Sequence, residues 1–167
     1  MDNNTEILKL VTLFIYGIIG RKEDIPMLKF LVGHEEDQVW KEASRALLKI
    51  ENRLGKNEYF EELVLQLPHK MLVGEKLKIL HQIKLALYSN PQPANLKSVF
   101  LKELELAHLF NQYDIKLKLL QLLGAVPDIE VAEVLAKYAQ EQNNWNILSA
   151  VEESYPKIKY VLKKENK

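Results

Sequence analysis

Ile25-Pro26-Met27-Leu28-Lys29-Phe30-Leu31, a short turn from Val32 to Asp37, and then Gln38-Val39-Trp40-Lys41-Glu42-Ala43-Ser44-Arg45-Ala46-Leu47-Leu48-Lys49-Ile50 decide the reading of this chain. Asp24 ahead of Ile25-Pro26 suits an N-cap followed by a first-turn proline, since proline has no N–H to satisfy there. Apolar side chains then recur at spacings of three and four, the period of a half-buried helix. The second segment is rich in alanine. Small Ala43 and Ala46 let a helix approach its neighbour closely, while Val39, Leu47 and Ile50 supply core volume.

Outward from this hairpin the same period continues, and no stretch alternates as a strand would. Breakers cut the chain into predicted helices near 5–20, 25–33, 37–53, 57–67, 72–89, 95–110, 114–125, 129–142 and 144–162. Asn57, Asn95 and Asp128 read as further N-caps, and Pro68, Pro91, Pro93 and Pro127 fall between helices. Pro156 lies inside the last segment and is expected to break or kink it. Loops this short imply antiparallel neighbours, so the fold class is all-α.

Second helices of the predicted pairs begin near Asp37, Gly74, Asp114 and Asn144, steps of roughly 30 to 40 residues that belong to hairpin solenoids. The 25–50 segment resembles a HEAT repeat, with its acidic turn and Ala-rich second helix. A weaker copy runs from Leu96 to Phe110 and on through Asp114-Ile115-Lys116-Leu117-Lys118-Leu119-Leu120-Gln121-Leu122-Leu123-Gly124, whose Leu-Leu-Gly is similar to the family's Ala-Leu-Gly ending. The other pairs match in length and order alone. Two departures stand out: Asp37 occupies the family's turn proline, and Trp40 the basic position after Val39. The resemblance implies a HEAT- or armadillo-like right-handed α-α superhelix of about four hairpins. It would form a single domain over 1–167, with an N-terminal capping helix in 1–24 and a C-terminal cap or tail in 156–167.

Composition narrows the function classes. Lys plus Arg and Asp plus Glu are 23 each, apolar residues are 47% and Cys is zero, so the chain is globular in composition and has no thiolate site or disulfide. The apolar run Ile7 to Ile19, too short for a bilayer span, is expected as a buried first helix, with an interfacial membrane anchor as the alternative. With no signal-like start, a cytoplasmic protein without a membrane span is expected. Lys163 to Lys167 reads as a frayed, solvated end.

Catalytic motifs are absent from the sequence: no Gly-rich phosphate loop, no Gly-x-Ser-x-Gly and no His-Glu-x-x-His. Glu105-Leu106-Ala107-His108 places two metal-ligand types on one helical face, but a di-iron bundle needs two such motifs and two more carboxylates, so a solvated pair is expected. His34-Glu35-Glu36-Asp37 reads as acids at the positive start of a helix. The expectation is a non-enzyme with no cofactor and no metal.

Charge is sorted along the chain. The second-helix segments 37–50, 74–87 and 114–126 each carry an excess of cations, whereas 57–67 and 128–142 are acidic. In the resembled family the second helices line the concave face. That orientation implies a partner-binding surface of Trp40, Lys41, Arg45, Lys78, Lys84, Lys116 and Lys118, suited to an acidic protein segment. Trp40 admits two readings, an exposed apolar anchor or a ring buried against the first helices, and the residues do not separate them. Trp145 is expected to be buried. The function expected is a scaffold or adaptor. The alternatives are a nucleic-acid-binding HEAT-like protein resembling the DNA glycosylases of that fold, or a small inhibitor of the immunity type.

Overall fold

The computed structural model describes residues 3–165 other than 89, 142 and 143. Asn166 and Lys167, the end of the expected frayed tail, lie outside the described residues. Those residues form nine α-helices and no strand: α1 (Asn3–Ile19), α2 (Ile25–Val32), α3 (Asp37–Arg53), α4 (Glu58–Gln66), α5 (Val73–Leu87), α6 (Leu96–Leu109), α7 (Tyr113–Leu123), α8 (Ile129–Glu141) and α9 (Trp145–Glu165). The all-α class is therefore established. Single 3-10 turns at Lys22–Asp24 and Leu67–His69 precede α2 and follow α4. The chain divides into two compact units, Met1–Leu63 with Gln82–Pro93, and Val64–His81 with Ala94–Lys167.

In the first unit α3 is central, with α1 and α2 packed on it. Its Val39, Ala43, Ala46, Leu47 and Ile50 are all buried. The contact with α1 is close because small residues face each other: a Cβ on Gly17 would lie 3.4 Å from the Ala46 Cα. Arg53 then ties down the end of α1, donating from its two terminal guanidinium nitrogens to the Gly17 and Gly20 carbonyls at 2.6 and 2.7 Å. Gly17 lies in the last turn of α1, where carbonyls lack a helical donor, and Gly20 directly follows that helix, so a cation there completes its C-terminus.

α3 ends in a Schellman turn. Gly55 takes φ 65°, its N–H reaches the Asn52 carbonyl, and the Lys56 N–H reaches that of Glu51. The Glu51 carboxylate, buried, then accepts the Tyr59 N–H at 2.9 Å and so caps α4 from the preceding helix. Asn57, the expected cap, instead donates to the Pro91 carbonyl at 2.7 Å. Asp24 likewise does not cap α2; its carboxylate accepts the Arg21 N–H at 2.7 Å and closes the 3-10 turn.

Burial raises the pKa of Glu51, against the opposing pull of the Tyr59 N–H and the Lys29 charge. The folded state thus holds a proton on Glu51 more tightly than the unfolded chain does. The stabilisation from that proton is complete below the ordinary value of 4.5 and is lost as pH rises through the raised folded value. Glu51→Gln keeps an acceptor for Tyr59 and cannot titrate. Wild type should therefore gain stability relative to Glu51→Gln as pH falls from neutral toward 4.5. Urea midpoints for both proteins across that range test this, and a pH-independent difference would refute it.

The second unit packs α6 on α7, α7 on α9 and α8 on α9. Phe100, Leu104, Leu119, Leu123, Val131 and Leu135 fill its core. α6 also ends in a Schellman turn, here with Asn111 in the left-handed region at φ 53° and the Gln112 N–H on the Ala107 carbonyl at 2.8 Å. Asp128 caps α8 as expected, accepting the Glu130 N–H at 2.9 Å. Asn95 makes no side-chain cap, whereas Asn144 caps α9 through the Asn146 N–H at 3.0 Å. Lys97 reaches across from α6 to Asp128 and Glu130 at 3.0 Å each. The Glu130 and Asp128 bonds raise the Lys97 pKa, and the Lys97 bond lowers that of Asp128.

Of the break or kink expected at Pro156, the break is not found: α9 is continuous from Trp145 to Glu165 with Pro156 inside it. Pro156 and Glu152, the residue one turn before it, are both exposed, so water can serve the carbonyl that proline's missing N–H leaves without a helical donor.

Candidate interaction surface

α1 does not form the buried first helix expected from its composition. It turns Leu13 and Gly17 onto α3 and leaves Ile7, Leu8, Val11, Phe14, Ile15, Ile18 and Ile19 between 44% and 70% exposed. These residues form two neighbouring rows on the outward side. Ile7, Val11, Phe14 and Ile18 follow one another at four, three and four residues, and Leu8, Ile15 and Ile19 run beside them with Thr12 in the gap. Such spacing is the seam of helices that pack side by side. Side chains of this size and exposure offer apolar area on the order of 700 Å², beyond the roughly 300–600 Å² of the largest patch on a typical monomer.

Grooves flank the ridge on both sides. One, of about 490 Å³, has an apolar wall of Leu10, Val11 and Phe14 and a polar wall of Gln38, Lys41, Glu42 and Arg45. The other, of about 460 Å³, runs along Thr12, Ile15, Tyr16 and Ile19 to Arg21 and Asp24. The Lys49 ammonium sits 5.3 Å from the centre of the Phe14 ring, where the ring's negative face attracts a cation.

The structure resolves the two readings of Trp40. At 4% exposure the ring is core, its N–H donates to the Asp37 carboxylate at 3.2 Å, and the Lys41 ammonium lies 5.3 Å from the ring centre. An apolar anchor for a partner must offer surface, and Trp40 offers almost none. Asp37 also pairs with Lys41 at 2.7 Å, and Arg45 pairs with Glu42. Of the seven residues read from sequence, Trp40, Lys41 and Arg45 thus come together on α3. Lys84 is exposed on the part of α5 that belongs to the first unit. Lys78, Lys116 and Lys118, half-buried, belong to the second. Trp145, expected to be buried, is 75% exposed at the first position of α9.

Glu105 and His108 do share a face of α6. They line an open cleft of about 530 Å³ with Glu130, Lys137 and Tyr138 of α8, where His108 meets the Tyr138 ring edge-on at 5.9 Å. Among the described residues no three His, Cys, Asp or Glu side chains are placed to hold a metal ion. His34 accepts the Glu36 N–H at 3.1 Å in the turn before α3. Among the described residues no helix is long and apolar enough to cross a membrane.

Sequence reasoning missed the outward face of α1. The signal was present as the two apolar rows, but hydrophobicity alone cannot say whether the same chain covers them. No protein-family model, curated protein or solved structure matches this chain.

Proposed function

We propose that this chain is a non-catalytic protein-interaction module, a scaffold or adaptor whose helical hairpins stack in the manner of a HEAT-like right-handed superhelix. The observation that carries the reading is the outward apolar face of α1. A helix held on α3 by Leu13, Gly17 and Arg53 presents its apolar rows on backbone that is already folded, which lowers the ordering cost of binding. A partner helix laid along α1 would bury those rows in the helix-in-groove mode.

Photo-crosslinking in the native cells tests the reading. A photoreactive phenylalanine analogue at Ile18 should give discrete protein adducts, and the same group at exposed Lys102 on α6 should not. Absence of adducts at Ile18 above the Lys102 background would overturn it.

A further inference from the structure

We infer that the occupant of the α1 face is a second copy of this chain, an inference that rests on the interaction-module reading. A closed dimer about a two-fold axis needs one patch that fits itself. Such a patch needs a ridge and a groove side by side, so that each copy's ridge can enter the other's groove. That is the arrangement here: Val11 and Phe14 belong both to the ridge of α1 and to the wall of the groove between α1 and α3. Two copies so joined would form a four-helix contact from α1 and α3 of each.

Area and charge favour the same occupant. The apolar face, on the order of 700 Å², is close to the roughly 800 Å² that each partner contributes to a standard interface. Neither apolar row carries a charged side chain, so two identical faces meet without repulsion along the seam. The polar wall of the groove is balanced within each copy, since Lys41 is paired with Asp37 and Arg45 with Glu42. An acidic partner helix would have to compete with those pairs, whereas a second copy brings a wall whose charges are already met. Lys49, resting on the Phe14 ring, lies at the rim, where its long stem lets the ammonium turn into water.

The test is the mass of the purified full chain by light scattering and sedimentation, from low micromolar to several hundred micromolar. The expected result is a concentration-dependent species of twice the 19.4 kDa chain mass. Phe14→Glu and Ile18→Glu, at exposed positions, should keep the far-ultraviolet circular dichroism and thermal midpoint of the monomer. Each should raise the dimer dissociation constant by roughly 30-fold or more, the scale of a central interface residue. A dimer that survives both changes overturns the assignment to α1. A wild-type chain that stays monomeric overturns the second copy as occupant, and an apolar dye then separates the two readings. Dye binding lost in Ile18→Glu leaves the face open for a different partner, while no dye binding removes the interaction-module reading as well. Flotation of the monomer with anionic vesicles would also overturn the inference, naming a lipid surface instead.

Discussion

Lys76→Met is expected to destabilise the chain by about 3–5 kcal/mol, a large part of the roughly 5–15 kcal/mol that holds a domain folded. Lys76 on α5 pairs with Glu103 on α6, and their side chains are 9% and 2% exposed. Glu103 accepts through Oε2, while Oε1 is buried without a hydrogen-bond partner among the described residues. Lys76 is therefore the cation that makes this carboxylate tolerable. Once it is gone, a buried carboxylate is left without its counter-charge, which costs stability. The pair itself adds little net stability, because each ion gave up its hydration to form it. The double change Lys76→Met with Glu103→Leu should thus return most of the loss and come within about 1–2 kcal/mol of wild type, on either side. Chemical denaturation of wild type, single and double variants measures all three. A single variant as stable as wild type would show that the carboxylate is not shut off from water.

Helix positions were legible because they depend on local chemistry. α3 runs Asp37–Arg53 as expected, since its apolar spacing and the Leu54-Gly55 stop are both written along the chain. Partnership across space was not legible. Trp40 and Trp145 each begin near a helix start, and nothing local tells which one has a neighbour over its ring; the structure buries the first and exposes the second. The same limit explains α1, whose apolar run reads as core although half of it faces outward. The cap of α4 was missed for a related reason, since Asn57 is the local candidate and Glu51 serves only because the Schellman turn folds α3 back onto α4. Lys41 and Arg45 were recognised as cations, but their partners Asp37 and Glu42, at four and three residues away, were read as part of a net charge rather than as ion pairs.

Gly124→Ala should destabilise the chain by about 1–3 kcal/mol, although a Gly→Ala change in helical backbone ordinarily stabilises by about 0.4–1 kcal/mol. The sign decides what the glycine is for. Gly124 caps α7 at φ −59° and ψ −18°, a conformation open to any residue, so backbone strain does not demand glycine here. Space does. A Cβ at this position would lie 2.8 Å from the Cβ and Oγ of Ser154 on α9 and 2.9 Å from its Cα. Ser154 is fixed in turn, because its hydroxyl donates to the Leu120 carbonyl of α7 at 2.9 Å. A flexible side chain could turn away from the added methyl, but a Cα cannot move without moving α9. Ser154→Gly removes two of the three collisions and leaves the backbone one, but it also gives up the Ser154 hydrogen bond and places glycine inside α9, so it should cost less in the Gly124→Ala background than in wild type. Ser154→Ala alone should cost only about 1 kcal/mol, the worth of one buried hydrogen bond. Thermal and urea unfolding of Gly124→Ala, Ser154→Gly, their double variant and Ser154→Ala distinguishes these terms. A Gly124→Ala protein more stable than wild type would mean that α7 and α9 stand further apart than this contact requires, and that the Leu-Leu-Gly ending stops a helix without also packing it.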